Sequence, residues 1–355
     1  MKNIIRIFAV VVVLSALTSQ SVYAGNDERR GTAGASELLI NPWARNTGWG
    51  GVNVANVRGL SSMFSNVAGL AFVESIEVGY TNTMLYGGKS GLSSGATINS
   101  FGLAVRIFER GVAGVYIMSM GFGDIPVTTY LSPESGNGTF SPSYMNINVA
   151  YAHSFTNTIH GSILFKVVTE STDNVSGSGL GIDAGIQYVT GEDDELKFGI
   201  SLKNWGPSMK FGGTGLSLQM VNTAGNNFTV ETRAAEMELP TCLNIGLSYD
   251  FLFEKWDQRL TLAAAFTSNA FLRDNYTVGV EYSLLKMFQL RCGYIMQPGL
   301  WTGNAATANN GICAGASVDV PLSKDEGKTG LTIDYSFQSA SPMRGTHSIG
   351  ASLRF

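Results

Sequence analysis

Only 14% of the 355 residues are charged, while 43 are Gly, 13 Tyr and 19 Phe; about a quarter of a soluble domain is charged, so water is not the main solvent for this chain. The formal net charge of −4 supplies no basic footprint, which excludes nucleic acid as a partner. Cys242, Cys292 and Cys313 are odd in number and widely spaced, without CxxC or other metal-type spacing; they read as small side chains, with a Cys292 to Cys313 disulfide between neighbouring strands left open.

Lys2 and Arg6 precede the apolar run Ile7 to Leu17, and Val22-Tyr23-Ala24 puts small residues where a signal peptidase reads. Residues 1–24 are therefore expected to be a signal peptide cleaved after Ala24, with export to follow. Cleavage removes Lys2 and Arg6, leaves 21 basic against 27 acidic residues and makes the mature charge near −6. The apolar core of 11 residues falls short of the ~20 that cross a bilayer as a helix, and no later stretch reaches that length. No cysteine stands at the cleavage point as a lipid anchor. A membrane-bound form must then cross as a closed barrel.

Residues 25–73 do not read as spanning strands. From residue 74 to the end, alternating segments of about ten residues recur between turns rich in Gly, Asn, Asp and Ser, the length and period of a tilted membrane strand. Clear apolar sets are Phe101/Leu103/Val105/Ile107, Met145/Ile147/Val149/Tyr151, Leu180/Ile182/Ala184/Ile186/Tyr188 and Leu243/Ile245/Leu247/Tyr249/Phe251. The complementary faces carry Lys166, Asp183, Lys197, Asp250, Glu281, Arg291 and Asp334. Tyr188, Tyr249, Tyr276, Tyr282 and Tyr294 fall on the apolar side near segment ends, where interfacial girdles place their rings. With weaker segments near 76–84, 112–122, 210–220 and 312–320, about 14 strands are expected. The long connections are Gly123 to Pro142, Lys210 to Glu238 and Gln297 to Asn310. Phe211, Leu216, Leu218, Met220 and Trp301 are apolar residues of these loops and candidate contacts for a ligand or partner.

The chain closes on Ser348-Ile349-Gly350-Ala351-Ser352-Leu353-Arg354-Phe355, which puts Ile349, Ala351, Leu353 and Phe355 on one face. Such a terminus suits the last strand of a barrel pairing with the first, with Phe355 as an assembly signal and outer-membrane lipid against the apolar face.

Between the leader and the first strand, Ser36-Glu37-Leu38-Leu39-Ile40-Asn41-Pro42-Trp43-Ala44-Arg45 runs into Gly48-Trp49-Gly50-Gly51 and then Asn66-Val67-Ala68-Gly69-Leu70-Ala71. This order resembles the start of the PorV/PorQ family of Bacteroidetes outer-membrane proteins, distant relatives of the FadL-type fatty-acid transporters. The family has Asn-Pro-Ala-Gly where this chain has Val67. The likeness continues at Gly121 to Thr129, Ser201 to Pro207, Gly279 to Tyr282, Leu290 to Tyr294, Ile333 to Phe337 and His347 to Phe355.

The resemblance implies an all-β fold: a transmembrane antiparallel FadL-like barrel over 74–355, with residues 25–73 as a plug or hatch in its lumen. In such a plug, Gly48, Gly50, Gly51 and Gly69 would serve tight turns and close approach, beside Asn66. Arg45 would pair with a luminal carboxylate, Asp183, Glu281 or Asp334, since an unpaired charge in an occluded lumen is costly. The family implies a component of the type IX secretion system that binds secretion proteins or cargo signal domains. The alternative is a FadL-type transporter of a hydrophobic ligand, and the apolar loop residues suit both.

His153, His160 and His347 are the only histidines, and neither GxSxG nor HExxH occurs. No enzyme, metal or cofactor is implied. Gly48-x-Gly50-Gly51 lacks the GxGxxG spacing of a phosphate-binding turn.

Overall fold

The computed structural model describes residues 27–87, 95–133, 138–253, 257–298, 308–322 and 329–355. The expected signal peptide and Trp301 lie outside the described residues. Among them, fourteen antiparallel strands close into a barrel: β1 (Ile76–Met84), β2 (Thr97–Phe108), β3 (Gly111–Gly121), β4 (Ser143–Ser154), β5 (Ile159–Thr172), β6 (Val175–Thr190), β7 (Leu196–Trp205), β8 (Cys242–Phe253), β9 (Gln258–Asn269), β10 (Asn275–Leu284), β11 (Phe288–Met296), β12 (Gly311–Pro321), β13 (Gly330–Gln338) and β14 (Thr346–Arg354).

Closure satisfies every strand edge, which a sheet in lipid requires because hydrocarbon offers no hydrogen bonds. β14 pairs with β1 in the register Glu77↔Arg354 and Tyr80↔Ala351. The Phe355 amide donates to the Ile76 carbonyl at 2.9 Å, so the pairing runs to the last residue. Alternation separates the two faces: Ser348 is 0% exposed and its neighbour Ile349 52%. Phe101, Val149, Leu180, Leu247, Leu290 and Ile333 likewise stand outward, toward lipid.

The two ends differ as an outer-membrane barrel requires. Glu109-Arg110 joins β2 to β3, and residues 285–287 join β10 to β11; these short turns mark the periplasmic end. The opposite, extracellular end carries the long connections 122–142, 206–241 and 297–310.

Two expectations need correction. The segment near 210–220 is not a wall strand. β7 stops at Trp205, after Asn204 adopts φ 59°. Met209–Gly212 then pairs with the extracellular tip of β6, and Ser217–Val221 forms a hairpin with Asn227–Glu231 whose residues are all exposed. Its alternation, Leu218 and Met220 against Ser217 and Gln219, gives that hairpin an apolar face; the fourteenth strand is the terminal one. The second correction concerns the disulfide. Cys313 pairs in register with Gly293, so Cys292 faces lipid while Cys313 is buried on the luminal side, and both are free.

Candidate functional site in the barrel lumen

The lumen is occupied by the chain's own residues from Ala35 to Val73. Ala44–Thr47 and Ser62–Ser65 are single α-turns, and Val67–Phe72 is a 3-10 turn capped by Asn66, whose side-chain oxygen accepts from the Ala68 amide. Leu38, Val52, Met63, Val67 and Leu70 are buried, each worth about 1.5–3 kcal/mol relative to exposure.

A girdle of inward-facing glycines lets this segment lie directly on the wall. A Cβ on Gly199 would come within 2.4 Å of the Val54 carbonyl oxygen, one on Gly293 within 2.2 Å of the Trp49 carbonyl oxygen, and one on Gly185 within 2.2 Å of Asn66 Oδ1. Gly199 and Gly246 are direct register partners, as are Gly279 and Gly293, so the girdle runs across adjacent strands at one height. The segment answers with its own small residues: Gly48 rests on Gly315, and Gly69 approaches the Val57 carbonyl so closely that a Cβ would lie 2.1 Å from its oxygen. Gly50 (φ 68°) and Gly51 (φ 76°) adopt left-handed backbone, Gly50 against Ile295 and Cys313. Asn66 also donates to the carbonyls of Val54 and Ile186, tying the segment to β6.

Arg45 reaches the wall on the periplasmic side. It donates to Gln289 and lies 3.4 Å from Asp319 and 3.8 Å from Asp334. Burial opposes its charge, but Asp334, Asp319 and Glu281 outweigh that cost and hold its pKa above the usual value. Of the three carboxylates considered for Arg45, Asp334 lies within ion-pair distance. Glu281 is held by Arg291 at 2.6 Å and Arg259 at 2.7 Å. Asp183 is elsewhere: it binds Lys166 at 2.7 Å and accepts from the Asn204 amide at 2.7 Å, which fixes the left-handed turn ending β7. Asp319, outside those three, is the nearer partner of Arg45.

Two chemically different regions result. On the extracellular side, Tyr116, Met118, Met120, Tyr144 and Val168 of the wall join Leu38, Met209 and Leu239 in one apolar cluster. On the periplasmic side lies a cavity of about 410 Å³ lined by Asn53, Asn56, Arg58, Lys197, Asp250, Arg259 and Arg354, with Trp49 and Val57 above.

Among the loop candidates, Phe211 packs over Gly177 beside the apolar cluster. Leu216 is half-buried in the turn before the hairpin, and Leu218 and Met220 stand on the hairpin in register with Val230 and Phe228. His160 points inward and bonds Ser154, while His153 contacts Tyr151 and Phe155. Among the described residues no group of three or more His, Cys, Asp or Glu could hold a metal.

No family model matches the chain, and no curated protein matches its sequence. Solved structures do. A CymD monoaromatic hydrocarbon channel is 14% identical over 89% of this chain and 98% of its own, with a TM-score of 0.56. A Pseudomonas aeruginosa FadL homologue is 12% identical over 89% and 97%, at 0.52. The P. putida toluene transporter TodX is 12% identical over 84% and 94%, at 0.51. At such identities the likeness is one of fold: a FadL-like barrel of the outer membrane. Two of these neighbours are named as a monoaromatic hydrocarbon channel and a toluene transporter.

Proposed function

We propose that this barrel is an outer-membrane channel for hydrophobic small molecules. The observation that carries the reading is the apolar cluster on the extracellular side of the lumen, in which Met118, Met120, Tyr144, Met209 and Leu38 are buried together. An apolar solute placed there gains about 25 cal/mol per Å² of surface removed from water. Methionine side chains adapt to solutes of differing shape. The hydrocarbon transport named for CymD and TodX supports the same class of permeant.

The test is uptake of radiolabelled toluene by cells lacking their own hydrocarbon channels. Cells expressing the barrel are expected to take up toluene faster than cells with an empty vector, and M118Q together with M209Q to lose most of the gain. Equal uptake with and without the barrel would overturn the reading.

A second reading, a type IX secretion component that binds cargo signal domains, is supported by the motif order from Ser36 to Ala71 and by the hairpin face of Leu218, Met220, Phe228 and Val230. Membership of the PorV/PorQ family belongs to this reading. Retention of purified cargo signal domains by the immobilised barrel, abolished by L218S with M220S, would favour it over the channel.

A further inference from the structure

We propose that the periplasmic cavity is a binding site for a small hydroxylated organic anion, a hydroxycarboxylate or a sugar phosphate, presented from the periplasm. The site is independent of the hydrophobic channel: it lies on the other side of the luminal segment, and its lining suits a different chemistry.

The charges of the cavity nearly balance, but they are not placed symmetrically. Three of the five carboxylates are sunk in the wall, with side-chain exposures of 8% for Glu281, 8% for Asp250 and 11% for Asp319. Three guanidinium side chains stand out, at 31% for Arg45, 41% for Arg259 and 44% for Arg354, while Arg291 is buried. Each of these three carboxylates is also engaged: Glu281 by Arg259 and Arg291, Asp250 by Lys197 and Thr261, Asp319 by Gln289, Thr332, Arg45 and Arg354. The Nε groups of Arg259 and Arg354 are buried against the wall and have no hydrogen-bond partner among the described residues, so only their outer guanidinium edges reach the cavity. Arg58 is exposed, stacks its guanidinium 4.4 Å over the Phe72 ring, and makes no ion pair among the described residues. A planar guanidinium left with unused N–H groups is suited to carboxylate or phosphate oxygens.

The hydroxyl requirement comes from the roof. Asn53 is 4% exposed, and its amide nitrogen donates to Asn46 Oδ1 at 2.8 Å, which leaves its own Oδ1 without a partner. Asn56 Oδ1 is likewise unpartnered. Both asparagines line the cavity, so a ligand that only accepts hydrogen bonds would leave two buried acceptors unmet. A volume of about 410 Å³ falls within the ~300–1,000 Å³ of small-molecule sites. Asp193 and Asp194 also line the cavity, on the turn between β6 and β7. They oppose an anion held at that turn and favour one drawn toward the arginines.

The probe is citrate, with tricarballylate, which lacks the hydroxyl, as its comparison. Calorimetric titration of the purified full-length barrel in detergent at low ionic strength should show saturable citrate binding, weakened at least tenfold in R58Q and in R259Q and unchanged in the loop-tip variant Y130S. Tricarballylate should bind more weakly than citrate. Absence of saturable binding, equal affinity in wild type and both arginine variants, or equal affinity for the two acids would overturn the proposal. Should either arginine variant fail to fold, phenylglyoxal labelling of the wild type decides: citrate should protect Arg58 and Arg259, and labelling indifferent to citrate refutes the site.

Discussion

Gly48 of the luminal segment and Gly315 of β12 lie backbone to backbone: a Cβ built on Gly48 would sit 2.8 Å from the Gly315 Cα. Contacts of this kind recur around the wall, so the segment is seated by close backbone approach as well as by the side chains of Arg45 and Asn66. A valine at Gly199 or Gly315 should push it off the wall, at a cost of about 1–3 kcal/mol for overpacking. The midpoint of heat-induced unfolding, followed by gel mobility, should fall in G199V and G315V. G121V is the control, since nothing lies within 4 Å of a Cβ there; an equal fall in all three would refute the girdle.

Removing Arg45 leaves Asp319 and Asp334 without the cation that joins the segment to the wall. The Arg45 side chain is 31% exposed, so solvent screens part of the loss and R45A should cost about 1–3 kcal/mol. The double variant R45A with D334N should lose less than the sum of the two single variants. Additive losses in urea-unfolding measurements would show that Arg45 and Asp334 do not interact.

Much of this was legible in the sequence. Period-two alternation separated lipid-facing Leu247 and Ile333 from luminal Asp250 and Asp334, because strand side chains alternate whatever the tertiary partners. The hairpin near 210–220 misled because an amphipathic hairpin and a wall strand share that period. The wall glycines escaped notice, since one inward glycine per strand means nothing until a segment over a hundred residues away is laid against it. Distance in the chain likewise hid which carboxylate Arg45 meets: Asp183 carried the right charge, and Lys166 on the neighbouring strand claims it.

Depth in the bilayer grades the outer face. Arginine at Leu247, in mid-strand on β8, should cost roughly 2–4 kcal/mol, while arginine at Leu353, beside the periplasmic end of β14, should cost about 0–1 kcal/mol. Folding titrations into lipid vesicles measure both, and equal costs would contradict the assigned membrane span.

Deleting Phe355 removes its two backbone hydrogen bonds to Ile76 and the outward aromatic at the closing seam. Membrane yield of the shortened chain should drop several-fold at equal synthesis. Unchanged yield would show that the terminal residue carries no assembly information.

The central claim, a channel for hydrophobic small molecules, is tested most directly by reconstituting the purified barrel in outer-membrane-like proteoliposomes and timing toluene entry against glucose entry. The account predicts accelerated toluene entry, with glucose excluded because the luminal segment fills the bore. Glucose entry matching that of an open pore, or toluene entry no faster than in protein-free vesicles, would contradict it.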